Sequence, residues 1–243
     1  MTADAHCNAP VPGYCAVLFD MDGVIVDTQS SVTRFWNELA TEFGMSISEE
    51  QFVRHVYGCP AEHTLKHIFP TLTVAQRRVV MDHMVEYETN ELTYSAISGA
   101  IALLRDLRAV RIPTALVTSG AHWKIDAVTR QLEIEDVFDV YVTVEDIAAG
   151  KPAPDCYLQA ARALDVPPAS CIVFEDAVSG VEAAVAAGAL CIGIGPAAMA
   201  PALLQAGVCA VMPDLSAVSV TAGVKRTHVL HIAELAMTVQ GRP

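Results

Sequence analysis

The 243-residue chain carries 15 basic and 28 acidic side chains, a formal charge of -13. That balance repels phosphate backbones and anionic lipid, so nucleic-acid binding and attachment to membrane surfaces are disfavoured. The seven cysteines, Cys7, Cys15, Cys59, Cys156, Cys171, Cys191 and Cys209, are odd in number and form no CxxC pair, which argues against a disulfide framework or a zinc ribbon.

The first 13 residues, MTADAHCNAPVPG, have neither a basic start nor an apolar stretch. They read as a tail without a secretion signal, and a cytoplasmic protein is expected. A strand-length apolar run follows at 15–19. From 29 to 98 only helical patterns occur, over 30–43, 49–56, 61–69 and 74–92, with Pro60 and Pro70 marking breaks. Asp27 is expected to cap the first of these helices. Beyond residue 98, helical patterns at 100–109, 123–132, 156–164 and 181–187 alternate with apolar runs at 115–117, 140–142, 171–174 and 190–194.

No charged residue occurs from 183 to 213, a length that could span a bilayer. Gly188, Gly193, Gly195, Pro196, Pro201 and Gly207 punctuate it, so it reads instead as helix, turn, buried strand, turn, helix. After Leu215 the stretch VSVTAGVKRTHVLHI is consistent with a terminal hairpin.

The apolar runs do not alternate with polar residues, a pattern that suits strands buried on both faces of a parallel sheet. The expected fold class is therefore α/β: a doubly wound parallel sheet, with a small all-helical cap domain inserted after the first strand. The expected domains are a core of 14–27 and 99–243, a cap of 28–98 and a tail of 1–13.

In a parallel sheet, ligands bind beyond the carboxyl ends of the strands. Asp20 and Asp22 follow the first run, Thr118, Ser119 and Gly120 follow another, and Glu175 and Asp176 a third; Lys151 lies in the loop after 140–142. Carboxylates gathered that closely would hold protons unless a cation intervened. An all-oxygen set without histidine favours magnesium over zinc, with water and a substrate phosphate completing its shell. Lys151, the Thr118 hydroxyl and the backbone N–H groups around Ser119 and Gly120 add phosphate donors, so the rim reads as a phosphoryl-transfer site.

These segments resemble the four motifs of the haloacid dehalogenase superfamily of aspartate-nucleophile phosphotransferases: FDMDGVIVDT, VTSG, GKPAPD and VFEDAVSGVEAA, in that family's order. The resemblance implies that Asp20 attacks phosphorus and that Asp22 protonates the leaving oxygen and later activates water. It further implies that Thr118 and Lys151 position the phosphoryl group, and that magnesium binds at the Asp20 carboxylate, the Asp22 carbonyl and Asp176, with Glu175 assisting. The helical insertion is similar to the family's small cap, hinged near 26–29 and 95–99.

The resemblance leaves phosphatases and phosphomutases open. The β-phosphoglucomutases carry a cap signature Lys-Gly-x-x-Arg, where this chain has Tyr57-Gly58-Cys59-Pro60-Ala61. Both cations are missing, which favours hydrolysis of a small sugar or polyol phosphate; a mutase, a phosphoglycolate-type phosphatase and a non-catalytic phospholigand binder are the alternatives. Tyr57, Gly58, His63 and His67 are the candidate cap specificity residues. His63 and His67 share a helix face as a metal pair would, but with no third ligand evident nearby they read first as ordinary cap surface. Phe35 and Trp36 read as cap core and Trp123 as packed on its own helix. The partner expected is a small phosphorylated metabolite, acted on by a monomer or homodimer.

Overall fold

A computed structural model describes residues 13–90, 92–223, 226–232 and 235–242. The tail expected over 1–13 lies, apart from Gly13, outside the described residues. Six parallel strands form the central sheet: β1 (Ala16–Phe19), β2 (Thr114–Val117), β3 (Val140–Val142), β4 (Cys171–Glu175), β5 (Leu190–Ile194) and β6 (Val211–Met212). Their order is β3-β2-β1-β4-β5-β6, with Val17 of β1 opposite Thr114 on one side and Ile172 on the other. The chain winds outward from β1 in one direction through β2 and β3, then returns to lay β4 on its other edge. The crevice above β1 and β4 is thus the topological switch point where such sheets bind ligands.

Alternation along β1 explains why both faces are apolar. Val17 and Phe19 enter one core with Leu103 and Leu107 of α5 (Ala100–Ala109) and Val128 of α6 (His122–Leu132). Ala16 and Leu18 enter the opposite core with Tyr157 and Ala160 of α7 (Asp155–Ala163), Val181 of α8 (Val178–Ala186) and Leu203 of α9 (Ala200–Ala206). Each fully buried Leu or Phe in these layers contributes about 1.5–3 kcal/mol. Cys156, Cys171 and Cys191 are buried among them as small hydrophobes. No helix is long and apolar enough to cross a membrane among the described residues.

Between β1 and β2 lie α1 (Gln29–Glu42), α2 (Glu49–His55), α3 (Ala61–Ile68) and α4 (Val74–Asn90). They bury a separate apolar cluster that includes Phe35, Trp36, Phe52, Leu65, Phe69 and Tyr87. Ser48 and Gln51 form a reciprocal capping box at the start of α2, and Pro60 stands at the N-cap of α3. The two chain crossings into the insert run side by side: Val26 bridges Ala96, the Asp27 N–H donates to the Ser95 carbonyl at 2.9 Å, and the Ile97 N–H donates to Ile25 at 2.9 Å.

One expectation needs correction. Asp27 is exposed and does not cap α1, whose N-cap is Thr28; the Thr28 side chain makes no capping bond because its hydroxyl is used elsewhere. The C-terminal stretch forms the expected hairpin, residues 218–221 pairing antiparallel with 227–232, and a further strand extends it. β7 (Val218–Thr221), β8 (Thr227–Ile232) and β9 (Leu235–Gln240) form a three-stranded antiparallel sheet. β8 alternates strictly, burying His228, Leu230 and Ile232, and with Val239 of β9 this sheet closes the core beside α5.

Candidate active site

The tight loop after β1 is built by its own backbone. The Ile25 and Val26 N–H groups both donate to the Met21 carbonyl, and Gly23 turns with φ 76°. A Cβ at Gly23 would stand 2.0 Å from an Asp176 carboxylate oxygen, so only glycine lets this loop lie against the end of β4. That approach brings carboxylate oxygens of Asp20, Glu175 and Asp176 within 4.8 Å of one another.

Lys151, only 3 % exposed, reaches into the cluster and donates to Asp20 Oδ1 at 2.5 Å and to Glu175 Oε1 at 2.6 Å. Glu175 is fully buried. Its Oε1 also accepts from the Tyr157 hydroxyl at 2.5 Å, and its Oε2 accepts from the Asp176 and Ala177 N–H groups. Both oxygens are therefore engaged, and Glu175 anchors Lys151 and the loop after β4. Gly180 makes room for it, since a Cβ there would lie 1.9 Å from Glu175 Oε1.

One lysine does not balance this charge. Burial, together with Glu175 and Asp22 nearby, pushes Asp20 up to about 8 despite the opposing pull of Lys151. Burial and the Asp20, Glu175 and Asp22 charges push Asp176 well above the carboxylate range. Oxygen donors whose ionised form is this strongly disfavoured are the set that a hard divalent cation satisfies.

Asp22 stands apart from that cluster in a different environment. Its Oδ1 accepts from the Thr28 hydroxyl at 2.6 Å and from Lys124 Nζ at 2.9 Å. Lys124 is buried on α6 and also lies 3.1 Å from Glu88 Oε2 of α4, an ion pair whose angle falls short of a hydrogen bond. Burial would lower the Lys124 ammonium, but Asp22 and Glu88 reverse that and raise it. Burial raises Glu88 in turn, partly offset by Lys124. Lys124 thus ties the general acid/base candidate in the core to a helix of the insert.

Of the remaining rim residues, Thr118 is buried, anchored by its N–H to the Val142 carbonyl at 2.9 Å, and its Oγ1 accepts from the Gly120 N–H at 3.0 Å, leaving its own proton to donate. Ser119 spends its hydroxyl on the Gly58 carbonyl of the insert at 3.0 Å. A cavity of about 380 Å³ lies between core and insert. Asp20, Asp22, Asp176, Ser119 and Gly120 form its floor side, whereas Thr118, Lys151 and Glu175 lie beneath that surface. From the insert come Tyr57, Gly58, Cys59, Pro60, Trp36, Met81, Met84 and Glu88. Among the described residues Lys124 is the one lysine or arginine in this lining, and it is already paired with two carboxylates.

The four cap candidates separate. Tyr57 and Gly58 line the cavity, Tyr57 stacking on Phe52 and bonding Thr33 at 2.8 Å. His63 and His67 are not in the lining; they gather instead with His55 of α2, a third histidine that sequence spacing did not reveal. Trp36 is buried as expected yet borders the cavity, and Trp123 lines it rather than only packing on its own helix. Thr28, Lys124, Glu88 and Tyr157 are site residues that the sequence reading missed.

Three comparisons bear on this geometry. Hexitol phosphatase A of Escherichia coli (strain K12) is 33% identical over 207 residues, covering 84% of this chain and 93% of the relative. Beta-phosphoglucomutase of Bacillus subtilis (strain 168) is 32% identical over 190 residues, covering 74% and 83%. The crystal structure of a HAD hydrolase, family IA, variant 3, from Entamoeba histolytica superposes with a TM-score of 0.72 at 28% identity, covering 84% of this chain and 95% of that one. The family model for haloacid dehalogenase-like hydrolases matches residues 14–188. With the sheet, the strand-end carboxylates and these relatives in agreement, the chain belongs to the haloacid dehalogenase-like hydrolase family.

Proposed function

We propose that the protein is a magnesium-dependent phosphatase that hydrolyses a small sugar or polyol phosphate through an aspartyl phosphate on Asp20. The observation that carries this reading is the pairing of Asp20 with buried Lys151 at the base of a cavity whose lining, among the described residues, has no unpaired lysine or arginine. A second phosphate would find no counter-charge there, whereas Glu62, Glu88 and Glu145 can accept from sugar hydroxyls, and Met81, Met84 and Trp123 offer an apolar surface to the carbohydrate ring. The relatives named for hexitol phosphatase and phosphoglucomutase activity fit a phosphorylated carbohydrate as substrate.

Asp20 and Asp176, with the Asp22 backbone carbonyl, would hold the ion; Glu175, with both oxygens engaged, supports the site through Lys151. Magnesium, when bound, neutralises phosphoryl oxygens and orients them for in-line displacement. Lys151 holds Asp20 Oδ1, leaving the other oxygen to form the bond to phosphorus as the bond to the sugar oxygen breaks. Asp22, kept in place by Thr28 and Lys124, gives its proton to the departing alkoxide. The resulting Asp22 carboxylate then takes a proton from the water that attacks phosphorus, restoring Asp20 and releasing inorganic phosphate. The Thr118 hydroxyl, held in place by the Gly120 N–H, and the Ser119 N–H cradle the phosphoryl oxygens. The insert of 28–98 serves as the cap on a core of 14–27 and 99–243, excluding bulk water when it closes about the paired crossings at 26–29 and 95–99.

A phosphate-release screen with magnesium over sugar, hexitol and glycolate monophosphates tests the reading. The expected result is turnover of sugar or polyol phosphates. Interconversion of sugar-phosphate isomers without phosphate release would make the enzyme a mutase instead.

A further inference from the structure

We propose a second metal site, independent of the catalytic rim, in which His55, His63 and His67 hold one divalent transition-metal ion, zinc by preference, on the helical insert. One ligand nitrogen from each histidine lies within 4.8 Å of the other two. His55 Nδ1 and His63 Nε2 are 3.2 Å apart, close to the edge of about 3.3 Å expected for two imidazoles on a tetrahedral zinc at its usual bond length. His63 and His67 are four apart on α3 and their rings stack with centroids 4.0 Å apart, while the His55 and His67 rings lie nearly parallel at 4.8 Å.

The supporting contacts match what such a site needs. His67 Nδ1 lies 2.9 Å from the His63 carbonyl; donation there places the ring proton on Nδ1 and leaves the Nε2 lone pair free, the arrangement metal-bound histidines show. The Thr64 hydroxyl donates to the His55 carbonyl at 2.6 Å, joining the end of α2 to α3 and fixing the two ligand-bearing elements together. Three imidazoles suit zinc, copper(II) or nickel(II) and are poor ligands for magnesium, so the two sites sort their ions by donor softness. His67 is exposed, leaving a fourth position open to water.

The ion would staple α2 to α3 on either side of the turn at 56–60. That turn makes contacts of the insert with the core, where the Gly58 carbonyl meets Ser119 and the Cys59 thiol meets Ser179. Zinc bound there would stiffen the surface that closes on substrate.

The test uses the untagged full chain saturated with magnesium and titrated with zinc chloride by calorimetry, with cobalt(II) absorption as a spectroscopic probe. The expected result is one zinc per chain, a cobalt spectrum of tetrahedral character, and a melting temperature that rises with zinc. His67→Ala, at an exposed position that leaves the packing intact, should weaken zinc binding by at least about tenfold and abolish the thermal shift. Asp176→Asn, and His231→Ala at a histidine on β8 outside the cluster, should retain both. The proposal fails if wild-type protein takes up no zinc, if His67→Ala binds it equally well, or if Asp176→Asn alone removes it. Should His67→Ala misfold, the cobalt spectrum of the wild type decides: octahedral oxygen-type bands overturn the site.

Discussion

Replacing Lys124 by methionine removes the one cation paired with Glu88 and Asp22 among the described residues while keeping the buried volume of the chain. Glu88 is buried to 8 % exposure, so without Lys124 it folds only as the neutral acid. Its ordinary value is 4.5, and holding it protonated costs about 1.4 kcal/mol for each pH unit above that, roughly 3 kcal/mol at neutral pH. The direction follows from a folded-state value raised above the unfolded one: the penalty is absent below the unfolded value and grows as pH rises, until the folded carboxyl ionises. Because Glu88 is already raised in the wild type, urea denaturation of Lys124→Met should show a loss of at most about 3 kcal/mol near neutrality that shrinks to under about 1 kcal/mol near pH 5. Adding Glu88→Gln should recover most of it, because the charge that lacked a partner is gone. Activity should not recover with it, since Asp22 has still lost the ammonium that positions it. A loss of equal size at both pH values, or a double variant no more stable than Lys124→Met alone, would refute the argument that Lys124 is there to compensate buried charge.

Other perturbations address the remaining parts of the site. Thr28→Val deletes a 2.6 Å bond to the Asp22 carboxylate, worth about 1.5–3 kcal/mol, and should lower kcat about 10- to 100-fold with KM little changed; steady-state kinetics on any accepted substrate reads this. Gly58→Ala places a Cβ 2.4 Å from the Ala177 Cβ at a φ of 68°, so stability should fall by about 1–2 kcal/mol and KM should rise. Adding Ala177→Gly should restore KM but leave the stability loss, because only the clash is relieved. Asp20 is pushed up to about 8 and Asp176 is raised as well, so magnesium must displace protons. Its apparent affinity should rise with pH and level off above about 8, with proton release detectable by calorimetry in buffers of different ionisation heat; an affinity flat from about pH 6 upward contradicts this.

What was legible in the sequence follows from which interactions are local. The strands announced themselves because AVLF, TALV and CIVFE are buried on both faces and so carry no polar alternation. The residues just past their ends could then be gathered onto one rim by topology alone. Thr28, Lys124, Glu88 and Tyr157 escaped because each is ordinary in its own segment. A threonine at a helix start reads as a cap, and a lysine amid the α6 pattern reads as solvated, until the fold buries it against two carboxylates from remote elements. Asp27 reads as the cap for the same local reason, one residue before the position the backbone uses. The spacing of His63 and His67 established a shared face but not its direction, and His55 sits on another helix where no periodicity links it to them. β9, with the sequence LAMTVQ and mostly exposed, offered no alternation to find.

The most direct test of the central claim is to trap the covalent step. Asp22→Asn protein, which lacks the base for the second half-reaction, would be mixed with an aryl phosphate whose leaving group needs no acid, then quenched in acid and digested for mass spectrometry. The account predicts a hydroxylamine-labile phosphoryl group on the peptide that contains Asp20, absent when Asp20→Asn is added. Phosphate release by Asp20→Asn at the wild-type rate, or a phosphoryl group on any other residue, would contradict it.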